Sequence, residues 1–323
     1  MGRPGPVAGR SGGDTGPIVP RMQATPARGI PMPPIDGEVS THGDDPTMPP
    51  PTPRRWTAAF AIAIAGALTA GLVLSGGLEL RLIAAIVLAM QILLVVAYVL
   101  LRRSVSRPAA IAVGIGASIA ADGIAVYTQP LQLDYLAYVV AAVFFATIVG
   151  QLARTRGRRG LTDGMATGVT VAVIAVGMST LIGLVRHPGG GQALAIGAIA
   201  IGTAVMAARA IDITMPNPRI NRQVPRGAFG VVIGAMVGTA MAAYAGVLLD
   251  GLTPQKAALG GLVVGLVGVL GDLAAGYTHA GRRIAGDGEA PWPLRYGLGP
   301  LLAFGAAAPV LYLLGVFYLV RAF

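Results

Sequence analysis

Three aspartates stand in or beside long apolar segments of this sequence, where acidic side chains are unusual. Asp122 lies late in the third such segment, Asp212 follows the sixth, and Asp272 lies within the eighth. A carboxylate at membrane depth is costly, so it indicates a functional site unless the chain satisfies it in another way. For Asp122 the alternative is an interface position or a pairing contact. For Asp212 the alternative is a solvated helix end.

Arginines accompany Asp272 in two loops that should lie on the same side of the membrane. One is the segment 219–227 and the other follows Asp272. The planar fork of a guanidinium group recognises phosphate. A phospholipid headgroup or a nucleotide would fit such loops. The alternative is that these arginines only set the topology of the helices and contact anionic lipid. The arginines that we expect to bind phosphate are Arg222, Arg226, Arg282 and Arg283.

Composition excludes several other kinds of site. The chain has no cysteine, which rules out disulfides, zinc–thiolate sites and cysteine nucleophiles. Its one lysine, Lys256, stands in no P-loop motif, and three scattered histidines do not indicate a histidine metal cluster. The formal net charge is +10, but the arginines lie in short loops between apolar runs, so we expect no nucleic-acid partner.

Transmembrane helices are the elements that would position these residues. Charged residues make up 12% of the chain, against about 25% in a soluble domain. Apolar runs of about 20 residues recur from Trp56 onward, and this length crosses a hydrocarbon core. Unbroken runs favour helices over the alternating strands of a β-barrel. We predict an all-α polytopic membrane protein with nine spans: 56–74, 82–101, 108–127, 135–153, 165–185, 191–208, 228–249, 257–277 and 297–320.

Charge in the loops predicts the orientation of these helices. With nine spans, sixteen basic residues fall on the side of the N-terminus of the membrane domain and four fall on the other side. Cytoplasmic loops carry the excess of arginine and lysine. The N-terminus is therefore expected in the cytoplasm and the C-terminus outside, and the protein is expected in the cell (plasma) membrane.

Residues 1–53 differ in composition from the rest of the chain. They hold 13 of the 24 prolines and many Gly, Ser, Thr and Asp residues, without a long apolar run. Proline removes backbone donors, and such a composition cannot offset the entropy cost of ordering the chain. We predict a disordered cytoplasmic tail at 1–53 and a transmembrane domain at 54–323. The tail also lacks the apolar core of a signal peptide.

Five segments of the membrane domain share their order and spacing with one known family. The most specific is 265–273, a helix that ends in Gly-Asp-Leu, and another is 224–226 followed by Gly234. The others are Tyr98–Arg103, Leu161–Thr167 and Ala307–Leu314. Over most of 56–323 the chain resembles the phosphatidate cytidylyltransferases, also called CDP-diacylglycerol synthases.

This resemblance implies a reaction and its ligands. In that family, cytoplasm-facing aspartates hold metal ions that bridge the phosphates of CTP, and phosphatidate attacks the α-phosphate. Divalent charge is needed there because two anions must meet. Asp272 matches the aspartate of the family's Gly-Asp-Leu motif, so the resemblance makes it catalytic and a ligand of Mg²⁺, with Asp287 as a helper. Arg226 stands where the family has a lysine.

The chain departs from the family in its acidic residues. No Asp or Glu follows Glu289, and Ala204 stands where an acid is expected in the sixth span. We therefore expect the family fold with a degenerate catalytic motif.

Three functions remain open at this point. The first is cytidylyl transfer from CTP to phosphatidate, and the second is a non-catalytic protein that binds phospholipid. Such a protein could also form a homodimer or partner another lipid enzyme. The third is transport of a small solute, for which broken helices or internal repeats would be expected.

Overall fold

The structure is a computed structural model, and among the residues that it describes the secondary structure is helical apart from one isolated antiparallel bridge between Arg219 and Gly227. It describes Gly2 and residues 55–102, 107–128, 130–152, 161–221, 223–249, 252–286 and 291–320. Apart from Gly2, the predicted tail at 1–53 lies outside the described residues.

Ten α-helices and a short π-helix follow one another along the described chain. They are α1 (Arg55–Ser75), α2 (Leu80–Arg102), α3 (Arg107–Tyr127), α4 (Leu133–Leu152), α5 (Leu161–Met178), α6 (Thr180–Val185), α7 (Gly190–Thr214), α8 (Ala228–Leu248), α9 (Pro254–Ile284), α10 (Trp292–Leu314) and the π-helix Gly315–Val320.

Among the described residues, nine helical stretches are long and apolar enough to cross a membrane. On length and composition, this confirms the predicted all-α class and the predicted number of spans. Helices α5 and α6 together make the fifth span, and α10 with the start of the π-helix makes the ninth. The described chain therefore has the character of a multi-pass membrane protein.

Two helices extend further than their apolar runs predicted. Helix α7 continues to Thr214 and α9 to Ile284, several residues beyond the predicted ends at 208 and 277. Asp212 consequently lies in the last turn of α7 and is only 5% exposed. The interpretation of Asp212 as a solvated helix end is wrong, because α7 continues past this residue and the surrounding chain buries its side chain.

Small residues allow α7, α8 and α9 to pack with their backbones close together. A Cβ atom on Gly238 of α8 would lie 2.7 Å from the carbonyl oxygen of Ala200 on α7. A Cβ atom on Gly234, one turn earlier, would lie 2.7 Å from the carbonyl oxygen of Ala204. Within membranes, helix association depends on such close packing.

Gly238→Ala should lower the free energy of unfolding by about 1–3 kcal/mol, the usual cost of adding a methyl group where no space exists. The backbone of α7 must move because the added carbon meets a carbonyl oxygen, not the end of a flexible side chain. Denaturant unfolding of the purified protein in detergent measures this change. Gly71→Ala on α1 is the matched control, because a Cβ atom there meets nothing within 4 Å. Equal effects of the two substitutions would contradict the prediction.

Candidate functional site

Four charged side chains from α7, α9 and the loop between α7 and α8, three buried and one half-buried, form one group, which we name the charged cluster. Its members are Arg209 and Asp212 of α7, Arg226 of the loop, and Asp272 of α9. Asp272 has no exposed surface, and the side chain of Arg209 is 15% exposed. With two arginines and two aspartates, the charged cluster has a net charge of zero.

Asp272 lies at the centre of the charged cluster. Arg209 donates to both of its carboxylate oxygens, from Nε to Oδ2 at 2.8 Å and from Nη2 to Oδ1 at 2.5 Å. Arg226 forms a second ion pair with Asp272. Gly299 of α10 lies against this pair, and a Cβ atom there would collide with both Asp272 and Arg209. The absent side chain at 299 thus makes room for the bidentate contact.

Arg226 connects the two aspartates. Its Nη1 atom donates to Asp212 Oδ2 at 2.6 Å, and the backbone N–H of Gly227 donates to Asp212 Oδ1 at 2.9 Å. Burial, and after it the nearby charge of Arg209, lower the pKa of the Arg226 guanidinium to about 9, while Asp212 opposes the change. Arg226 therefore keeps its positive charge at neutral pH.

Backbone hydrogen bonds within the loop 215–227 hold Arg226 beside the other members of the charged cluster. The N–H of Ile220 donates to the carbonyl of Arg226 at 3.1 Å, and the N–H of Ala228 donates to the carbonyl of Pro218 at 2.9 Å. These bonds close the loop on itself directly before α8 begins. The loop thus places a cation beside two helices that are far apart in sequence.

A cavity lies against the charged cluster, where α1 and α10 begin and α7 and α9 end. It encloses about 780 Å³ of space, part of which is open to the outside. The residues that line it are Thr57, Ala58, Arg209, Asp212, Ile213, Gln223, Pro225, Arg226, Ala275, Gly276, His279, Ala280, Arg283, Arg295 and Tyr296. This lining carries four arginines and one carboxylate, so an anion is the ligand that its charge favours.

Exposed aromatic residues mark the end of the helices at which this cavity lies. Trp56 in the first turn of α1 is 88% exposed, and Trp292 at the start of α10 is 58% exposed. The ring of Trp292 packs edge-to-face on Phe60, with centroids 4.9 Å apart. Tryptophan is enriched where a membrane meets water. These tryptophans are of the kind found near a membrane surface, and they lie at the same helix ends as the cavity.

The predicted site residues reach different places in the fold. Asp272 and Arg226 come together in the charged cluster, and Arg283 lines the cavity. Arg282, one residue earlier on α9, donates instead to the carbonyl of Leu101 at the end of α2, at 2.5 Å. It thereby links two helices, and it is absent from the cavity lining. The remaining predicted residues, Arg222 and Asp287, lie outside the described residues.

Sequence reasoning counted Arg209 and Arg295 only as loop charges that set topology, and it gave His279 no role. In the structure all three line the cavity, and His279 Nε2 lies 2.6 Å from the carbonyl oxygen of Arg295. One signal could have identified Arg209. It precedes Asp212 by three residues, and residues with this spacing face the same side of a helix.

The arrangement around Asp272 does not fit a divalent metal ion. Both of its oxygens already accept from Arg209, and Arg226 also pairs with it. A metal ion bound to Asp272 would have to displace these guanidinium groups or lie against their positive charge. Among the residues that the structure describes, no three His, Asp or Glu side chains are grouped as metal ligands. The expected Mg²⁺ site with Asp287 remains a prediction.

Comparison of the chain with protein-family models, curated proteins and solved structures found no match. The function must therefore be inferred from the residues and their geometry.

Proposed function

We propose that this protein is an integral membrane protein that binds an anionic phospholipid, with the headgroup phosphate in the arginine-lined cavity. The observation that carries the proposal is the cavity lining, which contains one carboxylate, Asp212, and four arginines, Arg209, Arg226, Arg283 and Arg295. Guanidinium groups bind phosphate oxygens through paired, charge-assisted hydrogen bonds.

The place of the cavity favours a lipid as the source of the phosphate. The exposed rings of Trp56 and Trp292 lie at the same end of α1 and α10 as the cavity. A phospholipid can present its phosphate at this depth without leaving the membrane. By the positive-inside rule we propose that this end faces the cytoplasm, and that the protein belongs to the cell membrane.

The charged cluster favours binding over nucleotidyl transfer. Cytidylyl transfer by the mechanism of the resembled family needs carboxylates that are free to hold metal ions, whereas Asp272 and Asp212 are engaged by arginines. We therefore propose a non-catalytic protein of phospholipid metabolism, with a fold that resembles that of the phosphatidate cytidylyltransferases. Cytidylyl transfer remains the second candidate, because Asp272 is buried directly beside the cavity.

The double substitution Arg283→Gln with Arg295→Gln should weaken phosphatidate binding at least tenfold. A hydrogen bond to a charged group contributes about 1.5–3 kcal/mol, and two cations are removed. Native mass spectrometry of the purified full-length protein in detergent, titrated with phosphatidate or phosphatidylcholine, measures this loss. Arg81→Gln with Arg107→Gln is the matched control, because it removes the same charge from exposed positions that do not line the cavity.

Two outcomes would contradict the proposal. Equal binding of phosphatidate by the cavity variant and the control variant would show that the cavity does not hold the phosphate. Formation of CDP-diacylglycerol from labelled CTP and phosphatidate, in the presence of Mg²⁺ and lost in Asp272→Asn, would show that the protein is an enzyme. An active cytidylyltransferase in the same assay provides the positive control.

A further inference from the structure

A second buried polar group lies within the membrane-spanning helices and shares no residue with the charged cluster. It consists of Gln91 on α2, Asp122 on α3 and Ser179 between α5 and α6. Gln91 Nε2 donates to Asp122 Oδ1 at 2.9 Å, and Ser179 Oγ donates to the same oxygen at 2.6 Å. Gln91 and Ser179 have no exposed surface, and Asp122 is 6% exposed. The expectation of a pairing contact for Asp122 thus holds, with neutral partners.

The fifth span is interrupted at this group. At Ser179 the backbone N–H donates to the carbonyl of Val176 at 3.1 Å, three residues back, and α6 begins at Thr180. The carbonyl of Ala175, which a continuous α-helix would use for this N–H, accepts instead from Gln91 Nε2 at 3.0 Å.

Two buried acceptor oxygens in this group have no partner. The side-chain amide of Gln91 uses its Nε2 atom for the contacts with Asp122 and Ala175. Gln91 Oε1 is buried without a hydrogen bond, and so is Asp122 Oδ2. A buried polar atom that is left unpaired costs free energy. Both orphan atoms are oxygens, so the missing partner is positively charged or a donor.

No ion pair reaches Asp122 within the described chain. Arg186, at the end of α6, donates from Nη1 to the carbonyls of Ala125, Val126 and Thr128, at 2.7–2.8 Å. Its charge is thereby placed at the C-terminal end of α3. A carboxylate at membrane depth normally has a partner, and none of the described side chains supplies a cation here.

We propose that Gln91, Asp122 and Ser179 form a binding site for one Na⁺ ion, with Asp122 Oδ2 and Gln91 Oε1 as its side-chain ligands. Hard cations prefer carboxylate and carbonyl oxygens. The group supplies a single negative charge, so a monovalent ion leaves it neutral, whereas a divalent ion would leave an uncompensated charge in a medium that resists burying charge. The hydroxyl of Ser179 lies beside both ligand residues, 3.0 Å from Gln91 Nε2.

Thermal unfolding of the purified full-length protein in detergent tests the proposal. An ion that binds only the folded state raises its stability in a saturable manner. The melting temperature should therefore rise with NaCl, and not with choline chloride at equal ionic strength. Asp122→Asn should abolish this Na⁺ response, and Ser179→Ala should weaken the apparent affinity severalfold. Ser118→Ala is the matched control, since that buried hydroxyl bonds only within its own helix, to the carbonyl of Gly114.

Three results would overturn the proposal. The first is a wild-type melting temperature that is the same in NaCl and in choline chloride. This comparison does not depend on the folding of any variant. The second is a full Na⁺ response in Asp122→Asn. The third is a melting temperature that depends on pH but not on Na⁺, which would assign the orphan oxygens to a proton.

Discussion

Arg226→Gln should lower the free energy of unfolding by about 3–5 kcal/mol, the cost of removing one partner from a buried ion pair. The effect should be large because Arg226 neutralises two buried carboxylates. It pairs with Asp212 at 2.6 Å and also with Asp272, and only 5% of its surface is exposed. Glutamine keeps a donor but removes the charge, so Asp212 would lose its only ion pair among the described residues. Denaturant titration of the purified protein in detergent measures the change.

The matched control for Arg226→Gln is Arg107→Gln, which makes the same chemical change at an exposed position at the start of α3. Surface substitutions of this kind usually change stability by about 0.5 kcal/mol or less. If both variants unfold at the same denaturant concentration, Arg226 does not hold the charged cluster together in the membrane protein. Arg226→Lys should recover only part of the loss, because an ammonium group lacks the planar fork that reaches two carboxylates.

Asp272→Asn should destabilise the protein to a similar extent, and Arg209→Gln should relieve part of that loss. Asp272 has no exposed surface and lies between two arginines, so removal of its charge leaves two buried cations against one buried carboxylate. When Arg209 is also replaced, the charged cluster again has equal numbers of each sign. The two single variants and the double variant form a double-mutant cycle, and the coupling free energy should be about 2–3 kcal/mol, the upper part of the usual range for contacting residues.

Additivity in this cycle would contradict the bidentate contact between Arg209 and Asp272. A second cycle provides the control, with Asp272→Asn combined with Arg186→Gln. Arg186 is bound to carbonyls at the end of α3, and its contacts share no group with the charged cluster. Its substitution should therefore add to that of Asp272 within the error of the measurement. The comparison separates a specific ion pair from a general effect of removing arginine.

These two predictions concern stability, yet they also bear on function. Arg209 and Arg226 pair with the aspartates of the charged cluster, and Arg283 and Arg295 line the same cavity. Phospholipid binding should thus depend on those two arginines, while Arg209 and Arg226 mainly keep the helices and the loop in place. An enzyme that binds metal ions through Asp272 would need Arg209 and Arg226 to move away from this carboxylate first.

The apolar pattern determined the class of this protein. Runs of about 20 apolar residues leave the chain no other way to satisfy its backbone in lipid than to form helices, and nine such stretches occur among the described residues. The same reasoning identified Asp122, Asp212 and Asp272 as the aspartates that need explanation. It was less accurate for the ends of helices, because α7 and α9 continue through polar residues that hydropathy assigns to loops.

Tertiary structure decided which charges meet. Arg209 and Asp272 are 63 residues apart in sequence and Gln91 and Ser179 are 88 apart, and no local pattern encodes either contact. The sequence does not distinguish a loop arginine that contacts lipid headgroups and sets topology from one that pairs with a buried carboxylate, as Arg226 does. Arg282 and Arg283 are neighbours in sequence, yet one reaches the end of α2 and the other lines the cavity.

The sequence by itself thus determined that the chain has helices long and apolar enough to cross a membrane, nine of them among the described residues, and which residue types are out of place in them. It could do so because hydrophobic burial depends on composition over short windows. Only the tertiary structure decided that Asp272 is neutralised by arginines and that Asp122 is left with an unpaired oxygen. The physical reason is that electrostatic interactions at membrane depth depend on distances of a few ångströms between helices, and the order of residues along the chain does not specify those distances.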